Sequence, residues 1–218
     1  MLKVEKFYIA MIYSPIIQGF FLSAGLIIAI GGQNAFILRQ GLKKEYVFTI
    51  CTICFLSDAL LIFLGVGGVG KLIATSQTLM LIARWGGALF LFFYGIRSFC
   101  SAFKNETLSV DGAKNLASGF TWAIATTLAL TFLNPHVYID TLILIGSIAG
   151  QYPETERLGF AIGAALASMI WFYSIGYGAR ILTPFFQKQV SWKILDVLIG
   201  TVMCVIAGSL IWPVAVSL

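Results

Sequence analysis

The sequence predicts an all-α membrane protein of about six transmembrane helices, arranged as two inverted three-helix repeats. Three observations carry that expectation. First, 59% of the 218 residues are hydrophobic and only 11% are charged, with a mean hydropathy of +0.94. A soluble domain carries about 25% charged residues, so this chain has too few to clothe a water-facing surface. Second, apolar runs cover about 16–38, 46–68, 79–102, 119–149, 158–180 and 194–216. Third, two of these runs are interrupted, with helix breaks expected near 31–34 and at 134–135. The net charge is +5, but no basic patch interleaved with aromatics accompanies it. Nucleic acid is therefore not an expected partner, and the lipid bilayer is.

Most of the runs have roughly 22 to 24 residues, enough to cross a hydrocarbon core of about 30 Å. The first follows Lys3 and Lys6, as a signal peptide would. It is too long for such a peptide and no small-residue cleavage site follows, so it reads as an uncleaved span. The fourth run is too long for one span: about 31 residues of helix would extend about 46 Å. A break at Asn134-Pro135 resolves the excess, because proline lacks the backbone donor and clashes with the preceding turn. The segment is then either a kinked span or two half-spans. A second interruption, Gly31-Gly32-Gln33-Asn34, lies in the first run. Within a membrane, such breaks persist where protein or a water-filled cavity satisfies the freed backbone.

A single transporter domain is expected over 1–218, with repeat one at about 16–103, a polar linker at about 104–118 and repeat two at about 119–216. A shift of 111 residues superposes Ser57, Gly65 and Gly67 on Ser168, Gly176 and Gly178, and a shift of 113 places Gly87 and Gly95 on Gly200 and Gly208. Three spans per repeat is an odd number, so the second copy must be inverted, an architecture suited to alternating access around a midplane site. With six spans, one side receives Arg39, Lys43, Lys44, Arg97, Lys104, Lys114, Arg180, Lys188 and Lys193. The other receives Lys3, Lys6, Lys71, Arg84 and Arg157. The richer side is expected in the cytoplasm, with both termini outside.

Asp58 stands near the centre of the second run. An acid there costs roughly 2.5–3.5 kcal/mol on insertion scales, so something must offset it. Either it serves a transported cation or it pairs structurally with Arg84 or Arg97. Asp140 lies six residues past Asn134, with His136 one helical turn before it and Tyr138 between them. Asp140 reads as a cation-binding carboxylate; His136 either modulates its protonation or bonds a carbonyl at a helix interface. Gln33, Asn34 and Asn134 sit where helix N-termini would offer free N–H groups to a carboxylate. Their amides would add donors or satisfy the broken backbone.

Cys51 and Cys54 have the spacing of dithiol redox chemistry, which makes a transmembrane thiol-disulfide carrier the alternative reading. No cationic neighbour in the sequence would activate either thiol, and buried packing accounts for both. All four cysteines fall in apolar runs, which argues against an extracellular disulfide framework. The glycines from Gly65 to Gly70 precede Lys71-Leu72 and make no phosphate-binding loop. Neither a cofactor nor a metal is expected.

These residues resemble the lysine/arginine exporter family of the LysE superfamily. The matching elements are Gly32-Gln33-Asn34-Ala35-Phe36, Ser57-Asp58, and Leu133-Asn134-Pro135-His136-Val137-Tyr138-Ile139-Asp140-Thr141. Trp85-Gly86-Gly87, Phe93-Tyr94-Gly95 and Gly146-Ser147 also fit. The likeness runs from about Gly19 to the last span. The Asn-Pro-His-x-Tyr-x-Asp element resembles the basic amino acid exporters more than the homoserine/threonine branch. Gly31 departs from the pattern, since many relatives have proline there. The resemblance implies a secondary active exporter of arginine and/or lysine, or of another amino acid, in a bacterial cytoplasmic (inner) membrane. It implies Asp58 and Asp140 as the acids that matter, with no enzymatic activity. Charge balance adds protons as the exchanged partner. Glycine-rich faces serve packing between copies as well as within one, so a homo-oligomer is compatible with this sequence.

Overall fold

The computed structural model describes residues 2–28, 31–68, 77–103 and 116–215. Lys71, Lys104 and Lys114, with most of the expected linker, lie outside them. All regular structure among the described residues is helical: α1 (Leu2–Ile27), α2 (Gly32–Lys43), α3 (Val47–Val66), α4 (Gln77–Phe103), α5 (Leu116–Phe132) and α6 (Pro135–Tyr138). A π-helix (Ile139–Ile145) then leads into α7 (Gly146–Ala149). Next come α8 (Glu154–Gly178), a 3-10 stretch (Ala179–Gln187) and α9 (Gln189–Ala215). Four stretches are long and apolar enough to cross a membrane: 47–66, 85–103, 154–186 and 190–211. Six result if α1 with α2, and α5 with the 135–149 segment, each count as one broken span.

Local chemistry explains the boundaries. The fourth run breaks where proline forbids continuity: α5 ends at Phe132 and the next helix opens on Pro135, the helix position that needs no N–H donor. In the first run Gly31 is the extended N-cap and α2 opens on Gly32, so Gln33 and Asn34 occupy its first turn. At its other end α2 stops because Lys44 turns left-handed (φ 59°) and its N–H returns to the Gln40 and Gly41 carbonyls. Tyr46 (φ 52°) completes the tight turn into α3. Trp192 Nε1 donates to the Phe186 carbonyl at 2.7 Å and Ser191 Oγ to the Phe185 carbonyl at 2.6 Å. These bonds satisfy the end of the 3-10 stretch and fix the start of α9.

The chain forms two compact units, each drawn from both sequence halves. The first comprises 1–29, 54–80 and 135–172; the second comprises 30–53, 81–134 and 173–218. In the first, Ile62, Ile145, Ala149, Phe160, Ala161 and Ala164 form a core against which Leu22, Leu26 and Val66 pack. Glycines let its backbones touch. A Cβ at Gly163 would strike the Ile16 carbonyl, one at Gly19 the Phe160 carbonyl, and one at Gly65 would lie 2.7 Å from the Thr141 oxygen. A Cβ at Gly146 would lie 2.6 Å from the Gly65 oxygen. In the second unit, Gly41 meets the Gly176 carbonyl, and a Cβ at Gly95 would lie 3.1 Å from the Gly200 oxygen. Gly65 and Gly176, which the 111-residue shift superposes, thus each receive the backbone of a half-helix that follows a break. Many large apolar side chains remain uncovered, Leu89 (74%) and Phe103 (84%) among them. In a membrane these face lipid.

Gly163→Ala is expected to lower the thermal stability of detergent-purified protein by about 1–3 kcal/mol, because the colliding atom is backbone and cannot rotate away. Gly25→Ala, where a Cβ meets nothing within 4 Å, should leave it unchanged or slightly raised. Melting of the two purified variants checks the contrast.

Candidate substrate site

Asp58 lies on α3 and is 4% exposed. Ser168 Oγ, from α8, donates to its Oδ2 at 2.8 Å. This bond answers part of what the sequence left open. Among the described residues Asp58 forms no ion pair with an arginine. Arg97 instead covers the ring of Trp122 at 4.9 Å, and the Arg84 side chain lies outside the described residues. One hydroxyl satisfies one of two carboxylate oxygens, and a buried carboxylate has capacity for further donors.

Asp140 is half-buried and occupies the second position of the π-helix. An α-to-π transition widens the turn and shifts the register of carbonyls, a distortion found mostly at functional sites. Thr141 Oγ1 donates to the Val137 carbonyl at 2.6 Å, taking up one acceptor at that transition. His136, exposed on α6, acts electrostatically on Asp140. Asp140 in turn acts on Asp58. The two acids, 82 positions apart in sequence (140 − 58), are electrostatic neighbours within the first unit. Pro135 is buried and Tyr138 half-buried at the N-terminal edge of the π-helix, in the same unit.

Gln33, Asn34 and Asn134 belong to the second unit. Gln33 and Asn34 are half-buried in the first turn of α2, where helix N–H groups are free to donate. The Gln33 Nε2 is buried and makes no hydrogen bond among the described residues. Asn134 is half-buried and lies with Leu133 between α5 and α6. An N-terminal turn with an added amide donor suits a carboxylate.

Two functional candidates escaped sequence reasoning. Ser168 appeared there only as the repeat partner of Ser57. The second is a buried ion pair, Arg39 Nη2 to Asp196 Oδ1 at 3.1 Å, in the second unit. Their side chains are 15% and 7% exposed, and Arg39 Nη2 also reaches Ser101 Oγ at 3.3 Å. Arg39 had counted only as a flanking charge. Asp196 inside the last apolar run was the available signal. Cys51 and Cys54 are fully buried, and a Cβ at Gly176 would lie 2.6 Å from the Cys51 sulfur, so at least that thiol fills a packing gap. Thiol exchange needs access, which burial denies. Among the described residues no group of three His, Cys, Asp or Glu side chains could hold a metal ion.

Residues 24–213 match the family described as LysE type translocator. Over 196 residues the chain is 39% identical to a protein of Serratia proteamaculans (strain 568) named arginine exporter protein ArgO, covering 90% of this chain and 95% of that one. It is 40% identical over 191 residues to an Aeromonas salmonicida protein named "Putative amino-acid transporter YggA", covering 88% and 92%. No solved structure matches the chain.

Arg39→Met and Asp196→Leu are each expected to destabilise the protein by about 3–5 kcal/mol, since each strands a buried charge. The double variant should recover much of the loss, because it removes both charges. Thermal aggregation of the three variants, followed by size-exclusion chromatography, gives the order.

Proposed function

The chain belongs to the LysE type translocator family, and from that premise we propose that it exports basic L-amino acids, arginine and/or lysine, in exchange for protons. Amino acid export across the bacterial inner membrane is the activity; the cationic substrate and the proton are the proposal. The observation that carries it is a buried acid, Asp58, in the field of a second, half-buried acid, Asp140. Two nearby carboxylates out of bulk water repel one another unless a cation lies with them. A substrate ammonium or guanidinium and a proton answer the same need. Competition for the same acids is the simplest coupling between them.

Charge balance supports the exchange. Arginine and lysine carry a net charge of +1 at neutral pH. Moving one outward against an inside-negative potential costs about 2.3 kcal/mol per 100 mV. One proton inward per cation outward cancels the charge movement, so the potential no longer opposes export. The Ser168 hydroxyl donates to Asp58 and orients the carboxylate without neutralising it. Asp140, half-buried and beside His136, is the more accessible acid and the better placed for proton entry. The name carried by the Serratia relative favours arginine over a neutral amino acid.

Proteoliposomes preloaded with unlabelled arginine are expected to take up labelled arginine or lysine by counterflow, and not leucine. Asp58→Asn or Asp140→Asn, in protein that remains folded, should cut that exchange roughly ten- to hundredfold, the scale of one lost charge-assisted contact. Wild-type counterflow in both variants would remove the carboxylate scheme. A Cys51→Ser, Cys54→Ser variant should exchange normally. Net export should in addition slow when an inward proton gradient is collapsed, whereas one-for-one counterflow should not.

A further inference from the structure

The second unit contains a cavity of about 540 Å³ that the transport scheme does not use. Arg39, Gln40 and Lys43 of α2 line it, with Tyr94 and Arg97 of α4 and Trp122 of α5. Its charge is one-sided. Arg39 is balanced by Asp196, but among the described residues neither Lys43 nor Arg97 pairs with a carboxylate. Both are exposed, so they stand at the rim. The floor is polar and buried. Tyr94 (3% exposed) stacks on Trp122, with ring centroids 6.2 Å apart, and lies in the field of Arg39 and Arg97. Arg39 Nε and Gln40 Oε1 are buried without hydrogen-bond partners among the described residues, and Gln40 is only 6% exposed. A buried donor and a buried acceptor left without partners cost free energy, and both belong to residues that line this cavity.

The ligand these groups fit is an anion that also carries a donor. The Arg39 and Arg97 guanidinium groups and the Lys43 ammonium suit phosphate oxygens, and the Gln40 amide beside them suits a headgroup hydroxyl. The apolar surroundings choose between a free anion and a lipid. Leu89, Phe93 and Ile96 recur at four- and three-residue spacing on α4 and are 74%, 65% and 45% exposed. That stripe leads along the helix to Arg97, and Phe93 and Ile96 themselves line the cavity. Arg39, Lys43 and Arg97 all fall on the side that the lysine and arginine count assigns to the cytoplasm, where basic pockets between helices meet anionic lipids. We propose that this cavity holds the phosphate of an anionic phospholipid headgroup, with its acyl chains along the Leu89, Phe93 and Ile96 face of α4. The inference does not depend on which amino acid is transported.

The test uses delipidated, purified full-length protein and native mass spectrometry with phosphatidylglycerol or phosphatidylcholine added at equal concentration. Phosphatidylglycerol should be retained preferentially, and a Lys43→Gln, Arg97→Gln variant should lose that preference by roughly tenfold or more, the expected scale for two basic groups. A Lys188→Gln, Lys193→Gln variant of the same net charge should keep it. Equal retention of the two lipids by the wild type, or equal losses in both variants, would overturn the proposal. Displacement of the bound lipid by glycerol phosphate at matching concentration would assign the cavity to a soluble anion and overturn it as well. A readout that needs no variant comes from Cys100, an exposed thiol in the cavity lining. Phosphatidylglycerol should slow its alkylation by a maleimide more than phosphatidylcholine does, and identical rates would count against the site.

Discussion

A hydrocarbon solvent offers no hydrogen bonds and screens no charge, and most of this structure follows from that constraint. Each polar group inside the span region must be satisfied by the chain itself or be reserved for a ligand. Two α5 hydroxyls meet the rule locally: Thr127 donates to the Ala123 carbonyl at 2.7 Å and Thr131 to that of Thr127 at 2.9 Å. Arg39 and Asp196 meet it by pairing. Asp58 meets it in part, through Ser168. The residual capacity of Asp58 and Asp140 is what a site for a cation requires. In water the same two acids would be unremarkable.

The constraint also sets how the helices pack. Lipid tails are as apolar as leucine, so burying leucine between helices gains little, and association depends on close van der Waals fit. Small residues supply that fit. Backbones approach at Gly19, Gly163, Gly65 and Gly146 in the first unit and at Gly41, Gly176 and Gly95 in the second. Bulky side chains such as Phe21 and Ile181 are left facing outward. Large apolar groups such as Phe160 and Ile62 still fill the interior, but here the surface is apolar as well. Close packing also gives the breaks a use, because a half-helix restarted by Gly32 or Pro135 can approach a neighbouring glycine at an angle that a continuous helix would not allow.

Charge is divided between the units. The first carries Asp58 and Asp140, and among the described residues no buried cation pairs with them. The second carries Arg39, Lys43 and Arg97 around one cavity, with Asp196 balancing only Arg39. Acids and bases call for ligands of opposite charge, so the two sets suit different ligands.

Membrane class, the helical fold, the break at Asn134-Pro135 and the candidacy of Asp58 and Asp140 were all legible in the sequence. Each depends on composition or on neighbours within a few residues: proline acts on its own helix, and an acid in an apolar run is costly whatever surrounds it. Other features were not legible. The π-helix at Ile139–Ile145 departs from the α-helical spacing that the sequence predicts, and it lies beside Gly65, whose close approach bears on Thr141 and Leu142. The bond from Ser168 to Asp58 joins residues 110 positions apart, and the pairing of Arg39 with Asp196 joins the first broken span to the last. Sequence by itself determined which groups would be expensive in a membrane, because solvation cost belongs to the residue. Only the tertiary structure decided which partner each would meet, because pairing depends on helices brought together from distant parts of the chain.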